Sequence, residues 1–257
     1  MESLKRMFDL KGRKALVTGS SQGIGRAIAA GLAEYGADVM IHCASNRAKA
    51  EAARAEVEAF GVRSGIVAAD LADPGAAAVL RDATRAAIGD PDIVILNASV
   101  QIRKRWQDVT PEEYRVQADT NFASCLWAVQ AFAPAMRERR WGRIVTVGSL
   151  LQVRPHPEMI VYSALKLALV NLVRSLAPDL AKDGVTINNL APGAIETGRN
   201  EKVLSDEEYR RKVESKIPLG YVGEPRDCAG MALLLCSEAG RYITGQDVYV
   251  DGGMGLP

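Results

Sequence analysis

Two periods of apolar residues alternate along this chain. Short runs rich in Val, Ile and Leu occupy Lys14–Thr18, Asp38–His42, Val62–Ala69, Asp92–Leu96, Arg143–Val147, Val185–Leu190 and Asp247–Val250. Each is short enough for a strand and apolar enough to be covered on both faces. Between them the spacing becomes helical. Ile24, Ile28, Gly31, Leu32 and Tyr35 form one stripe, and Gly36 closes that helix. Gly31 inside it costs about 1 kcal/mol relative to Ala, which close helix–sheet packing would explain.

The remaining helices are predicted over Arg47–Phe60, Pro74–Ile88 with Asp73 as cap, Pro111–Arg139, Ile160–Ala181 and Pro225–Cys236. Thr110-Pro111-Glu112-Glu113 is a strong helix start. Pro178 is expected to disturb the last turns of its helix. Strands separated by helices mean an α/β fold: a parallel sheet, doubly wound, with helices on both faces. No composition break divides residues 1–257, so one dinucleotide-binding domain is expected. Arg199–Lys216 is the polar exception, read as a lid around 195–220 over a substrate, with a solvated surface helix as the plainer alternative.

Charge changes this picture little. The 32 basic and 31 acidic residues leave a net charge of +1, which predicts no generic pull toward nucleic acid or acidic membranes. No uninterrupted apolar run approaches the roughly 18 residues of a membrane span. Cys43, Cys125, Cys228 and Cys236 form no CxxC pair and read as reduced, buried thiols of a cytoplasmic protein. His42 and His156 have no partners at metal-ligand spacing, so no metal site is expected.

Candidate chemistry lies at two places. Gly19, Gly23 and Gly25 directly follow the first strand, where backbone N–H groups and a helix N-terminus can hold a pyrophosphate. Tyr162 and Lys166 are four apart, so a helix would put them on one face. A free Tyr has a pKa of about 10, and a neighbouring cation favours the phenolate. Such a pair can exchange a proton with an alcohol or carbonyl oxygen.

Thr18–Gly25, Asn97-Ala98, Asn121, Ser149, Tyr162, Lys166 and Pro192-Gly193 occur in the order and spacing of the short-chain dehydrogenase/reductase family. The resemblance covers the chain from Gly12 to Gly253. It implies a seven-stranded parallel sheet in the order 3-2-1-4-5-6-7 and an NAD(P)-dependent oxidoreductase. By this resemblance Tyr162 is the general acid/base, Lys166 its activator and a ribose ligand, and Ser149 a hydrogen-bond donor to the substrate oxygen. Asn121 would hold a water linking Lys166 to solvent. The cofactor would contact Gly19, Ser21, Gln22, Gly23, Ile24 and Gly25, and also Asp70, Leu71, Asn97, Ala98 and Ser99. Pro192, Gly193, Ile195 and Thr197 would hold the carboxamide end. The chain departs from the family's Asn-Asn-Ala-Gly at Leu96 and Ser99, and Ser99 could narrow the site.

No acid occupies Cys43-Ala44-Ser45-Asn46-Arg47, where a carboxylate would select NAD. Ser45, Asn46 and Arg47 could receive a 2′-phosphate, so NADP(H) is favoured over NAD(H). Arg103-Lys104-Arg105-Trp106 could attract an anionic substrate, or be a solvated loop tip. Val100–Lys104 and Thr18–Gln22 resemble gluconate 5-dehydrogenases. Asn188–Thr197 and Tyr242–Gly245 are similar to 3-oxoacyl-carrier-protein reductases. A sugar acid or polyol is the leading substrate class. A carrier-protein reductase and a non-catalytic nucleotide-binding scaffold are the alternatives. The resemblance also implies a homotetramer, a dimer being the other option, with Met231–Leu235 and Val248–Val250 near a subunit contact.

Overall fold

The computed structural model describes residues 3–256. A short helix α1 (Leu4–Met7) leads into alternating elements: β1 (Lys14–Val17), α2 (Gly23–Glu34), β2 (Asp38–Cys43), α3 (Arg47–Glu58), β3 (Ser64–Ala68), α4 (Ala76–Ala87) and β4 (Ile93–Leu96). Then come α5 (Pro111–Ala118), α6 (Ser124–Glu138), β5 (Gly142–Val147), α7 (Ile160–Ala181) and β6 (Val185–Pro192). The small helices α8 (Glu201–Leu204) and α9 (Glu207–Glu214) precede α10 (Pro225–Cys236) and β7 (Asp247–Val250). All seven strands pair in parallel in the order β3-β2-β1-β4-β5-β6-β7, as the resemblance implies.

Strand alternation builds two apolar layers. Ala15 and Val17 of β1, Ile93 and Ile95 of β4, and Val145 and Val147 of β5 pack toward α2, α3 and α10. Their neighbours Leu16, Val94, Leu96 and Ile144 face α4, α6 and α7. Both faces are covered, which is why these strands read as continuous apolar runs rather than as alternating ones. α7 is long and apolar enough to cross a membrane by length and composition alone. Here Leu169, Val173, Ala177 and Leu180 of α7 are buried in the second layer.

Several local expectations are corrected. Gly31 contacts a helix, not the sheet: an added Cβ there would lie 3.3 Å from the Ala229 methyl of α10. Asp73 does not cap α4. Its carboxylate accepts the Gly75 N–H at 2.7 Å in a preceding turn, and the helix begins at Ala76. Pro178 leaves α7 unbroken to Ala181. The carbonyl it cannot bond, that of Arg174, lies on an exposed residue where water can satisfy it. The 111–139 helix is interrupted by a wider turn at Asp119–Ala123, which carries Asn121.

The carboxyl ends of the strands converge on one edge of the sheet. Strand order reverses between β1 and β4, and the crevice at that point is where such sheets bind ligands.

Candidate active site

One cleft of about 830 Å³ opens above that edge. It is lined by Gly19, Ser21, Gln22, Gly23 and Ile24 after β1; by Ser45 and Asn46 after β2; and by Asp70 and Leu71 after β3. Asn97, Ala98 and Ser99 after β4, Ser149 after β5, Tyr162 and Lys166 of α7, and Pro192, Gly193, Ile195 and Thr197 after β6 line it too. Three expected residues are absent from the lining: Gly25, Arg47 and Asn121.

The glycine loop is shaped by backbone geometry. Gly19 has φ of +64°, and a Cβ there would strike the Ala98 backbone at 2.9 Å. Gly25 lies beneath the loop instead of facing the cleft. A Cβ on it would sit 2.4 Å from Asn97 Nδ2 and 2.5 Å from the Gly19 carbonyl oxygen. Asn97 makes that close packing useful, because its amide donates to the Thr18 and Gly19 carbonyls at 2.9 and 3.2 Å. No side chain caps α2, so the N–H groups at its start are left for a ligand.

His42 was not expected here. It is buried at the end of β2 and also lines the cleft. Its Nδ1 accepts the Gly19 N–H at 2.9 Å, and its Nε2 lies 3.0 Å from the Ala69 carbonyl. One tautomer satisfies both contacts: neutral, with the proton on Nε2. Burial lowers its pKa from the ordinary histidine value, against a smaller upward pull from the Ala69 carbonyl.

At the adenosine end, Arg47 turns away. Its Nε lies 3.5 Å from Glu51 along the outer face of α3. Two residues apart on a helix point in nearly opposite directions, so Lys49 enters the cleft instead. Its ammonium donates to Gln22 Oε1 at 2.7 Å, and its backbone N–H is held by Asn46 Oδ1 at 3.0 Å. The cap that Asn46 provides was the available signal for Lys49.

At the chemical end, Tyr162 and Lys166 are both buried within α7. The ammonium lies 5.5 Å from the phenol ring centroid and donates to the Val147 carbonyl at 2.6 Å. An ammonium has three donors, so two remain for a ligand. Ser149 has extended backbone, and its hydroxyl accepts the Leu151 N–H at 3.2 Å. Asn121 is fully buried and clamps Val100, accepting its N–H at 2.9 Å and donating to its carbonyl at 2.8 Å. That leaves its side chain one further N–H and one further lone pair.

Residues of the 195–213 segment line the far side. Ile195 bridges Gly223, and Asn200 holds Thr197 N and the Ile195 carbonyl at 2.8 Å each. Arg210 grips both oxygens of Glu196 at 3.1 and 2.9 Å, holding the Glu196 carboxyl below its usual range. Leu204, Ile217 and Val222 form a small apolar core under α8 and α9. Two of the three bases expected to draw an anion are paired: Arg103 with Glu158 at 2.5 Å and Lys104 with Glu113 at 2.6 Å. None of residues 103–105 lines the cleft.

The cysteines are free and buried. Burial raises the thiols of Cys228 and Cys236 to about 12, so neither is a thiolate at neutral pH. Among the described residues no cluster of His, Cys, Asp and Glu could hold a metal.

A doubly wound parallel sheet, with a glycine loop and a Ser, Tyr and Lys set in one cleft, defines a dinucleotide-dependent oxidoreductase. A family profile described as enoyl-(acyl carrier protein) reductase matches residues 19–255. The chain is 34% identical over 253 residues to gluconate 5-dehydrogenase of Gluconobacter oxydans, covering 96% of each chain. A 3-oxoacyl (acyl-carrier-protein) reductase of Agrobacterium tumefaciens, solved with NADP bound, has 38% identity and a TM-score of 0.93, with 97% of each chain covered. A gluconate 5-dehydrogenase of Burkholderia cenocepacia, solved with NADP and tartrate, has 30% identity and a TM-score of 0.92, covering 99% of this chain and 100% of that one. The chain belongs to the short-chain dehydrogenase/reductase family, oxidoreductases that act on alcohol and carbonyl groups with a nicotinamide cofactor.

Proposed function

We propose that this protein is an NADP(H)-dependent oxidoreductase acting on a secondary alcohol or ketone of a polar, anionic molecule such as a sugar acid or polyol. The observation that carries this reading is the shared cleft. Ser149, Tyr162 and Lys166 line the same space as the glycine loop and the Pro192–Thr197 segment. The chain fits a dinucleotide. The uncapped start of α2 and the Gly19 turn offer N–H groups to a diphosphate, and the two remaining donors of Lys166 suit ribose hydroxyls.

When bound, the nicotinamide supplies or takes the hydride. The Tyr162 hydroxyl exchanges a proton with the substrate oxygen, and the Ser149 hydroxyl donates a hydrogen bond to that oxygen as charge builds on it. Asn121 acts at one remove, fastening the Val100 backbone at the cleft wall. Lys49 supports the choice of NADP(H). It is a cation at the adenosine end with a neutral amide as its hydrogen-bond partner, and no acid lies in 43–47. The NADP held by the solved relatives agrees.

Turnover of NADPH with keto sugar acids, neutral ketoses and 3-oxoacyl thioesters tests the proposal. Preferred turnover of a keto sugar acid is expected. Activity confined to thioesters would favour the carrier-protein reductase reading, which the 38% identical relative supports. Cofactor binding without turnover of any carbonyl would defeat both.

A homotetramer in the cytoplasm completes the reading. Support comes from β7, an edge strand whose four residues are all only half-buried, beside Met231 of α10. The buried free thiols suit a reducing compartment. Light scattering that returned a monomer would refute the assembly.

A further inference from the structure

With Arg103 and Lys104 paired and Arg105 also outside the cleft lining, an anion in the cleft needs another cation. Arg199, two residues past Thr197, lines the cleft from the lid side. Its Nη2 donates to the Ser99 carbonyl at 2.9 Å and to the Ser99 hydroxyl at 3.1 Å. Its Nη1 reaches Gln101 Oε1 at 3.4 Å. All three acceptors are neutral, and among the described residues Arg199 makes no ion pair. A guanidinium carries five N–H donors. The Nε–H and one Nη1–H take no bond here.

Position along the cleft separates this cation from the cofactor's phosphate-reading end. Gln101 also contacts Met159, three residues before Tyr162 in the chain, and Met159 lines the cleft. The guanidinium therefore sits toward the reacting end, whereas Lys49 and Gln22 mark the opposite one. Ser99, which replaces the glycine of the family's segment, also acquires a purpose. Its hydroxyl gives the guanidinium an acceptor that glycine could not.

We infer that Arg199 is the residue that recognises the carboxylate of the substrate, held in place by Ser99. This builds on the proposed reading of the cleft as a site for polar secondary alcohols. Bonds between a guanidinium and a carboxylate are charge-assisted and about twice as strong as neutral ones. The long contact to Gln101 gives way to the carboxylate while the two Ser99 bonds keep the fork oriented.

Calorimetry on the NADP+-saturated enzyme tests this, with gluconate and tartrate as anionic probes and sorbitol as the neutral one. Wild type should bind gluconate more tightly than sorbitol. Arg199→Gln should weaken gluconate and tartrate about 10- to 100-fold, the value of hydrogen bonds to a charged group, and NADP+ itself by no more than about threefold. Ser99→Gly should give a smaller loss for the same two probes. Arg103→Gln, outside the cleft, should keep the wild-type preference. Unchanged gluconate affinity in Arg199→Gln would overturn the inference. So would a loss that fell on NADP+, which would put the guanidinium on the diphosphate, or a wild type with no preference for the anions. The readout is binding, not turnover. An enzyme that holds gluconate through Arg199 and oxidises no sugar acid would defeat the proposed function and leave this inference standing.

Discussion

The His42 ring accepts the Gly19 N–H at 2.9 Å, so a buried imidazole holds the loop that must shape itself around a dinucleotide. Replacing it with Leu leaves the Gly19 N–H and the Ala69 carbonyl without those partners. Cofactor affinity should fall about tenfold, the worth of one such bond. Titration of cofactor into His42→Leu by fluorescence checks this, and wild-type affinity would remove the ring from the loop's support.

The same ring sets a pH dependence. Its folded pKa lies below the ordinary value of about 6.5, so the unfolded chain takes up the proton first. The stability tied to neutral His42 is present above about pH 6.5. It is lost as pH falls through that value toward the folded pKa. Between about pH 7.5 and 5.5 the melting temperature of wild type should therefore drop further than that of His42→Leu. Parallel melting curves for the two proteins would contradict the assignment.

Lys166 spends one donor on the Val147 carbonyl and lies beside the Tyr162 ring. Tyr162→Phe keeps that donor and removes only the exchangeable proton. Turnover should fall about 10²- to 10⁴-fold, the range of general acid–base catalysis, with cofactor affinity nearly intact. Lys166→Met should lose turnover and cofactor affinity together. A Tyr162→Phe enzyme that turns over normally would take the phenol out of the mechanism.

Lys49, not Arg47, is the cation facing the adenosine end. Lys49→Glu puts a carboxylate beside Gln22, where it would repel a 2′-phosphate and suit a ribose hydroxyl. The ratio of kcat/KM for NADPH over NADH should fall about 10- to 100-fold, whereas Arg47→Gln should change it less than about twofold. If Arg47→Gln proved the more damaging change, Arg47 and not Lys49 would be the cation that reads the 2′-phosphate.

These cases show where sequence reading stops. A parallel α/β sheet is legible from apolar runs covered on both faces, and the glycine loop and the Tyr162–Lys166 pair from short-range spacing; strand order and the role of Ser149 follow only from the family resemblance. His42 was invisible as a ligand: in a buried strand it reads as one more interior position, and its partner Gly19 lies across a strand pair. Closeness to the strand end points to Arg47, but helical rotation decides which base faces the cleft. Arg199 sits at the start of a polar segment with no apolar periodicity to orient it. The partner of Arg103, Glu158, is 55 residues away, and that of Lys104, Glu113, is nine away across the turn into α5, so neither pair follows from helical spacing.

Gly25 has no room for a side chain. Its added Cβ would meet Asn97 Nδ2 and the Gly19 carbonyl, both part of the bond that joins the β1 and β4 loops. Gly25→Ala should cost about 1–3 kcal/mol by overpacking and weaken cofactor binding through displaced Gly19. Chemical denaturation with and without cofactor measures both effects. An alanine variant as stable as wild type would show that the loop can yield.

Ser149 is held from behind by the half-buried carboxylate of Asp247. Gln152 Oε1 accepts the Ser149 N–H at 3.4 Å, and its Nε2 donates to both oxygens of Asp247 at 2.9 and 2.7 Å. Asn189 and the Tyr249 hydroxyl also donate to Asp247, at 2.6 and 2.8 Å. The turn carrying Ser149 is thereby tied to β6 and β7. Asp247→Ala removes the acceptor that three donors share, so a stability loss of about 1–3 kcal/mol is expected. Because Asp247 is a positioning residue, kcat should fall with little change in KM, and Asp247→Asn, which keeps one acceptor oxygen, should recover part of it. A stability loss with kcat unchanged would mean the network braces the sheet and leaves the serine where it is.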